Sequence, residues 1–433
     1  MITFQRDNMT ETNTILIKDT TVISDEIKKS SILIVDDTIQ EISTTLNDND
    51  AEKVIDGTDK ITMPGLVNTH SHVAMTLLRG VGDDQSLQTW LNDYIWPKEA
   101  NLNEELVYSG SKLAMAEMIK TGTTTFNDMY FYMEETAKAV EESGIRAVLG
   151  YGMIDLFDEE KMKSELKVSE KLIKNCHNTC DNRITVAVAP HAPYTCSEEL
   201  LIKSKELAKK HDLKLHIHVS ETKQEVEDIS KDKRETPFKY LDNIGVLDSN
   251  TIAAHGVWTT QEEMDILKEK EVSIAHNPSS NMKLASGIAP ITEYLQKGIN
   301  VGIGTDGVSS NNNLDMFSEM KLTAFLQKVN LLDPQVLPTK DTFNMATKNG
   351  AKALGINAGS IEEGKLADII MVDTLVPHMT PVRNPLSNII YSSLGTDVET
   401  VICNGKILLE NKELKTINEQ EIIQEVKERA FEL

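Results

Sequence analysis

The sequence predicts an α/β protein, a closed (β/α)8 barrel with a small β-sandwich domain that both ends of the chain build together. Three observations predict it. Eight short β-like runs alternate with longer amphipathic stretches, β-branched strand patterns recur at both ends, and histidines and acids gather where the central runs stop.

The central runs lie at residues 66–70, 123–127, 146–150, 184–189, 214–219, 251–255, 272–276 and 300–305. Between them, residues 104–120, 133–143, 198–211 and 261–270 are rich in Glu, Lys, Ala and Leu, which lose little on entering a helix. About eight βα units in succession favour a TIM-type barrel over an open sheet. Ahead of the barrel, residues 14–22, 31–41 and 53–55 read as strands, and behind it residues 367–372 and 400–409 do so. Asn404-Gly405 breaks the last of these as a hairpin turn would. The expected division is 1–62 plus 359–433 for the composite β-domain and 63–358 for the barrel.

A chain of 433 residues, 40% apolar, has material for both units. Its net charge of −24 argues against nucleic acid as a partner, since the two would repel. No apolar stretch approaches the ~20 residues that span a bilayer. The N-terminus lacks the charged-then-apolar pattern of a signal peptide. A cytoplasmic protein with no membrane partner is expected. Cys176 and Cys180 flank His177, yet no second pair completes a metal knuckle, so they read as a free-thiol surface loop. With Cys196 and Cys403 they suggest no disulfide framework.

In a barrel of this kind functional groups gather at the C-terminal rim. Read in order, the strand ends carry His70 and His72, His191, His218 followed by Glu221, His255, and Asp306. The i, i+2 spacing of His70 and His72 projects both rings to one face of a strand. By the same alternation His216 and His218 share the interior face. His218 lies nearer the rim, and the deeper His216 reads as a hydrogen-bonded core residue. Asp306 follows Gly302-Ile303-Gly304-Thr305 and precedes Gly307, where the backbone can approach a ligand closely. Taken alone, that aspartate reads as an Asx turn. His276 reads as shaping the loop that follows it, and His177, His211 and His378 as solvated side chains.

A shell of His70, His72, His218 and Asp306 offers three nitrogens and one oxygen and leaves room for water, as an open catalytic metal site does. The ligand types suit one divalent ion, zinc first, with iron, cobalt or nickel also compatible. His191 stands where a two-metal site would want a bridging lysine.

The most telling stretches are Pro64-Gly65-Leu66-Val67-Asn68-Thr69-His70-Ser71-His72, Trp96-Pro97-Lys98-Glu99, Pro190-His191-Ala192-Pro193-Tyr194, His276-Asn277-Pro278-Ser279-Ser280-Asn281 and Gly304-Thr305-Asp306-Gly307. Together they resemble the amidohydrolase superfamily, and within it the methylthioadenosine/S-adenosylhomocysteine deaminases. Asn127-Asp128-Met129-Tyr130 and Gly152-Met153-Ile154-Asp155-Leu156-Phe157-Asp158 look most like the 5′-deoxyadenosine deaminases of methanogenic archaea.

That resemblance implies hydrolytic deamination of a small adenine nucleoside at C6, 5′-deoxyadenosine becoming 5′-deoxyinosine and ammonia. Methylthioadenosine, S-adenosylhomocysteine and adenosine would be further substrates. It implies that His70, His72, His218 and Asp306 bind the metal, Glu99 holds the ribose 2′- and 3′-hydroxyls, and His191 contacts N3. Glu221 would face N1 and His255 would hold the attacking hydroxide. Asp306 would take the proton of the attacking water, and Glu221, as the protonated acid, would give one to N1. A homotetramer is expected on the same ground. Without the family, Glu99 reads as an exposed helix residue.

Relatives that grip the homocysteine carboxylate carry arginines just after the third strand. Tyr151 falls there in this chain, which favours 5′-deoxyadenosine over S-adenosylhomocysteine. Residues 83–94 are expected as a loop near the site. Two rivals are a mononuclear amidohydrolase of the guanine deaminase or aminotriazine hydrolase type, and a non-catalytic barrel scaffold. Glu99 and His191 speak against the first, and the full ligand and acid/base set against the second.

Overall fold

One apolar run, residues 60–72, serves two sheets, and Gly65 is where it crosses between them. The computed structural model describes residues 13–433, so residues 1–12 of the expected β-domain lie outside the described residues. Lys60–Pro64 joins a sheet made by the chain ends, whereas Leu66–His72 opens the barrel. At the crossing the backbone runs against the second barrel strand, and a Cβ on Gly65 would meet Thr124 Oγ1 at 2.1 Å. Only glycine allows that approach.

Eight parallel strands follow in chain order: Leu66–His72, Thr123–Tyr130, Arg146–Met153, Ile184–Pro190, Leu215–Val219, Thr251–His255, Ser273–His276 and Asn300–Ile303. Each pairs with the next, and Ile303 pairs back to Asn68, which closes the barrel. The eighth strand stops earlier than the sequence pattern suggests. The chain leaves the barrel at Gly304 and returns as Asp306–Gly307 beside Ser71 and His72. The helices Glu104–Lys120, Met133–Ser143 and Glu198–His211 match the expected spans, and the fourth runs over Gln261–Glu269. Ser197 caps the third by accepting from Leu200 N, with Glu198 and Glu199 in its first turn and Lys209 and Lys210 in its last. Those charges complement the helix dipole.

One layer inside the barrel is unusually thin. Level with His218 stand Ala254, Ala275 and Gly302 on the next three strands. Barrel interiors normally fill such a layer with branched side chains. Here methyls and a hydrogen leave the space to imidazoles.

The terminal strands form one mixed sheet of nine, in which Lys60–Pro64 pairs antiparallel with Ile369–Asp373 and so joins the two ends of the chain. Its own core gathers Ile15, Ile17, Ile32, Ile34, Ile369 and Met371. The stretch expected as one strand over residues 31–41 is a hairpin instead, Ile27–Val35 and Thr38–Ser43, turning through Asp36 at φ 53°. The Asn404-Gly405 turn stands as read, with both residues at positive φ. A Cβ on Gly405 would meet Asp36 O at 1.6 Å, so the two turns interlock. Among the described residues no helix is long and apolar enough to cross a membrane. All four cysteines are free and buried, so Cys176 and Cys180 are not the surface thiols their polar surroundings suggested.

At the barrel end opposite the histidines, Arg146 locks the two units together. Its guanidinium reaches Asp368 at 2.9 and 3.1 Å and Asn404 Oδ1 at 2.8 Å, with Arg146 and Asp368 both buried. Removing one member of such a pair leaves the other charged and dry. Arg146→Ala is expected to lower the unfolding free energy by roughly 3–5 kcal/mol, read from urea denaturation. Arg146→Lys should recover little of it, because an ammonium cannot reproduce the fork.

Candidate functional site

At the C-terminal rim the rings of His70, His72 and His218 offer nitrogens within 4.8 Å of one another, and ring nitrogens of His70 and His255 lie within the same distance of each other and of an Asp306 carboxylate oxygen. Asp306 Oδ1 lies 3.3 Å from His70 Nε2 and 3.2 Å from His72 Nε2. The two groups share His70, and Asp306 also reaches His72, so the four residues expected as a metal shell stand side by side at the rim. His255 stands close enough to be counted among the potential ligands.

What aims the rings is the set of partners behind them. His72 Nδ1 bonds the Met129 carbonyl, and His218 Nδ1 bonds the His191 carbonyl at 2.7 Å. Only a protonated Nδ1 can donate there, which leaves Nε2 as a lone pair facing the centre. His70 Nδ1 meets His216 Nε2 at 2.9 Å, and Asn127 Nδ2 approaches His216 Nδ1 at 3.1 Å. His216 is thus the hydrogen-bonded core residue its depth suggested. Asp306 is held on both oxygens, by Ser280 Oγ at 2.6 Å and by the Gly307 amide at 2.8 Å. Asn68 ties the first strand to the turn that carries Asp306, pairing with Thr305 at 2.7 and 3.0 Å.

The backbone is bent to serve this geometry. Asp306 (φ 62°), His255 (φ 74°) and Ser220 (φ 55°), which precedes Glu221, all sit in the left-handed region. Non-glycine residues there cost of order 1 kcal/mol or more each and cluster at working sites.

The donor set fits a divalent cation. Burial holds His70 down to about 4, and burial with the neighbouring rings holds His218 well below its ordinary value, so both are neutral. Burial opposes ionisation of Asp306, but His70 and His72 beside it hold the carboxyl well below the usual carboxylate range. Against the same burial, Asp306 and the Met129 carbonyl raise His72 to about 9. The field at this point therefore favours positive charge. His70 Nε2 is buried and has no hydrogen-bond partner, an orphan that a metal bond would satisfy.

Over the quartet lies a cavity of about 680 Å³, counting its open mouth. Glu221 and His255 face each other in it at 3.8 Å, and His255 Nδ1 bonds Asn281 Oδ1 at 2.9 Å. Burial raises Glu221 above the usual carboxyl value. His191 bonds Thr195 through Nδ1 at 2.8 Å and is held neutral, down to about 3, by burial and the nearby imidazoles.

Glu99 also lines the cavity, half-buried rather than exposed, and burial raises its carboxyl. It ends a helical segment, Leu87–Thr89, Trp90–Ile95 and Trp96–Glu99, where a loop over residues 83–94 was expected. Within it Trp96 N donates to Leu91 O, five residues back. Pro97 has no N–H to keep the ordinary ladder, and the turn widens to a π form. Trp90, Leu91 and Ile95 are thereby packed over the cavity. Elsewhere, His177 Nδ1 accepts from Val186 N and His378 pairs with Asp397, so neither is simply solvated.

A model of the amidohydrolase family matches residues 61–408. The chain is 74% identical over 425 residues, 98% of its length and 100% of the relative's, to a 5′-deoxyadenosine deaminase of Methanosphaera stadtmanae. It is 49% identical to a 5-methylthioadenosine/S-adenosylhomocysteine deaminase of Thermococcus sibiricus, across 91% of this chain and 94% of that one. Among solved structures it superposes on an adenosine deaminase of Xanthomonas campestris with bound zinc, at TM-score 0.92 and 33% identity, covering 97% of this chain and 99% of the other.

Two buried carboxylates support the site that no sequence pattern singled out. Glu225 accepts from the amides of Ser220 and Glu221 at 2.9 and 2.8 Å, and so fixes the turn that presents Glu221. Glu319 accepts from the Ser279 amide and hydroxyl and from Asn311, joining the loops after the seventh and eighth strands. Burial outweighs these bonds and raises Glu319 from 4.5 to about 7. A carboxyl whose pKa is higher folded than unfolded adds stability below the unfolded value and loses it as pH rises through the folded one. Stability should therefore fall between about pH 4.5 and 7, by roughly 3 kcal/mol at most from this group. Glu319→Gln should flatten that part of the slope, measured as urea midpoints across the window. An unchanged slope would refute it.

Proposed function

The chain belongs to the amidohydrolase family, and on that premise we propose that it deaminates adenine nucleosides, hydrolysing 5′-deoxyadenosine at C6 to 5′-deoxyinosine and ammonia. One observation carries the reading. A buried acid, Glu221, and an imidazole, His255, face the centre formed by the histidines and Asp306, in a cavity that also offers a ribose-sized reach to Glu99. The full-length likeness to a 5′-deoxyadenosine deaminase supports it. In this reading His70, His72, His218 and Asp306 hold one divalent ion, which we take to be zinc. When bound, the ion supplies Lewis-acid chemistry that makes water nucleophilic near neutral pH.

The chain's own groups do the rest. Asp306, kept ionised, takes the proton of the attacking water and passes it to the departing amino group. His255, with Nδ1–H bonded to Asn281, presents Nε2 to accept from that water and hold it on line with C6. Glu221, whose carboxyl burial pushes up, serves as the acid and gives its proton to N1 as C6 becomes tetrahedral. His191 is neutral, and when Thr195 donates to its Nδ1, Nε2–H donates to N3. Glu99 accepts from the ribose 2′- and 3′-hydroxyls.

The wall beyond Glu99 sets the preference for the 5′ group. Trp96, Phe131, Tyr151, Ile154 and Leu156 line it, together with Lys161 and Glu165. No arginine is among these residues, so a homocysteine carboxylate finds no bidentate partner. Methylthioadenosine and adenosine are accepted, and S-adenosylhomocysteine least well. Assembly as a homotetramer and a cytoplasmic location complete the reading; exposed Phe325, Val329 and Leu332 offer an apolar face for the former.

Metal-replete enzyme should release ammonia from 5′-deoxyadenosine with a higher kcat/KM than from S-adenosylhomocysteine, and none from guanine or an aminotriazine. A preference for S-adenosylhomocysteine refutes the specificity, and inertness toward every adenine nucleoside refutes the function. Glu221→Gln should lower kcat by ~10²–10⁴ with metal content unchanged. His218→Ala should lose the metal itself, read by elemental analysis of protein purified without chelators.

A further inference from the structure

Tyr130 ends the second barrel strand, one residue past the Met129 carbonyl that anchors His72, and its ring lies 6.3 Å from the His72 ring. The ring is buried and packs against Phe131 at 5.3 Å. Its hydroxyl lines the cavity wall, is shielded from solvent and has no hydrogen-bond partner. A buried hydroxyl left unpaired is costly, and native structures rarely tolerate one without a use.

The hydroxyl sits beside the Glu99 carboxylate but outside hydrogen-bond geometry with it. Burial raises Glu99, and Tyr130 and His72 counter it. A carboxylate meant to accept from two ribose hydroxyls must be ionised and must hold its plane. A Glu side chain, with its several rotatable bonds, does not do that alone. A phenol that donates to one oxygen would leave the remaining lone pairs for the sugar.

We infer that Tyr130 is a positioning residue for ribose recognition, acting through Glu99: its hydroxyl closes onto the carboxylate when the sugar engages it. This rests on the nucleoside reading above. In this assignment Tyr130 acts through Glu99 and transfers no proton, so its effect belongs in binding rather than in chemistry.

The test is a set of kinetic comparisons on full-length, metal-replete protein. Tyr130→Phe keeps the ring and removes only the hydroxyl. With 5′-deoxyadenosine its KM should rise roughly tenfold to a hundredfold, the worth of one charged hydrogen bond, with kcat and metal content unchanged. With 2′,3′-dideoxyadenosine, which gives Glu99 nothing to hold, variant and wild type should have equal KM. In a Glu99→Gln background, adding Tyr130→Phe should change KM on neither substrate. An unchanged KM on 5′-deoxyadenosine overturns the inference, and so does an equal loss on both nucleosides, which marks a merely structural role. If the wild type deaminates neither nucleoside, the functional reading fails first and this falls with it.

Discussion

An imidazole has two nitrogens, and it can offer one to a metal only if the other is provided for. The barrel rim depends on that constraint. Near the strand ends a carbonyl can serve a ring with its second lone pair, as the His191 carbonyl does, which accepts from both the amide and the ring of His218. The Met129 and His191 carbonyls are spent on the Nδ1 atoms of His72 and His218. Each bond selects a tautomer and a ring direction together. His70, one step deeper, has no free carbonyl to use and leans on His216 instead. His216, the deeper histidine of the fifth strand, is therefore part of the support, although it does not line the cavity.

The same enclosure explains the balance of charge. Burial keeps His70, His191 and His218 neutral, as ligands and neutral hydrogen-bonding groups must be. It would also neutralise Asp306 if His70 and His72 did not stand against it. At Glu221, burial outweighs His255, the Ser286 hydroxyl and His72, and its carboxyl stays above the usual value. Two carboxyls that line one cavity are thus shifted in opposite directions by their surroundings, Asp306 down and Glu221 up. Supporting this costs stability. Glu225 and Glu319, buried to hold loops in place, are raised to about 7 and are least comfortable when ionised.

The barrel, its strand ends and the gathering of histidines and Asp306 at the rim were legible because they are periodic or local. An i, i+2 pair of histidines can only share a face, and eight alternations of strand and helix patterns have few ways to close. Three kinds of feature were not legible. The split of residues 31–41 into a hairpin rests on Asp36 taking positive φ, which aspartate permits but does not announce. Cys176 and Cys180 looked exposed because their neighbours in sequence are polar, while their neighbours in space are apolar. Glu225 and Glu319 resemble any acid on a helix until the fold places them under a loop. Each of these depends on contacts made far along the chain, which no window of sequence contains.

Glu99 shows why chemistry and recognition are separable in this molecule. The reacting groups stand on strand ends, where barrel closure fixes them to one another, and a shift in any one disturbs the rest. Glu99 stands on a helical segment outside the barrel, carried into the cavity by a turn that widens because Pro97 lacks an N–H. The wall beyond it comes from the ends of the second and third strands, through Phe131, Tyr151 and Ile154, side chains that none of the reacting groups lean on. A change among those residues alters what lies at the sugar's 5′ position and leaves the four imidazoles and Asp306 where they are. Relatives with one metal shell can therefore differ in substrate. In the function proposed above, the rim cluster sets the reaction, and the segment from Leu87 to Glu99, together with that wall, sets the molecule it is done to.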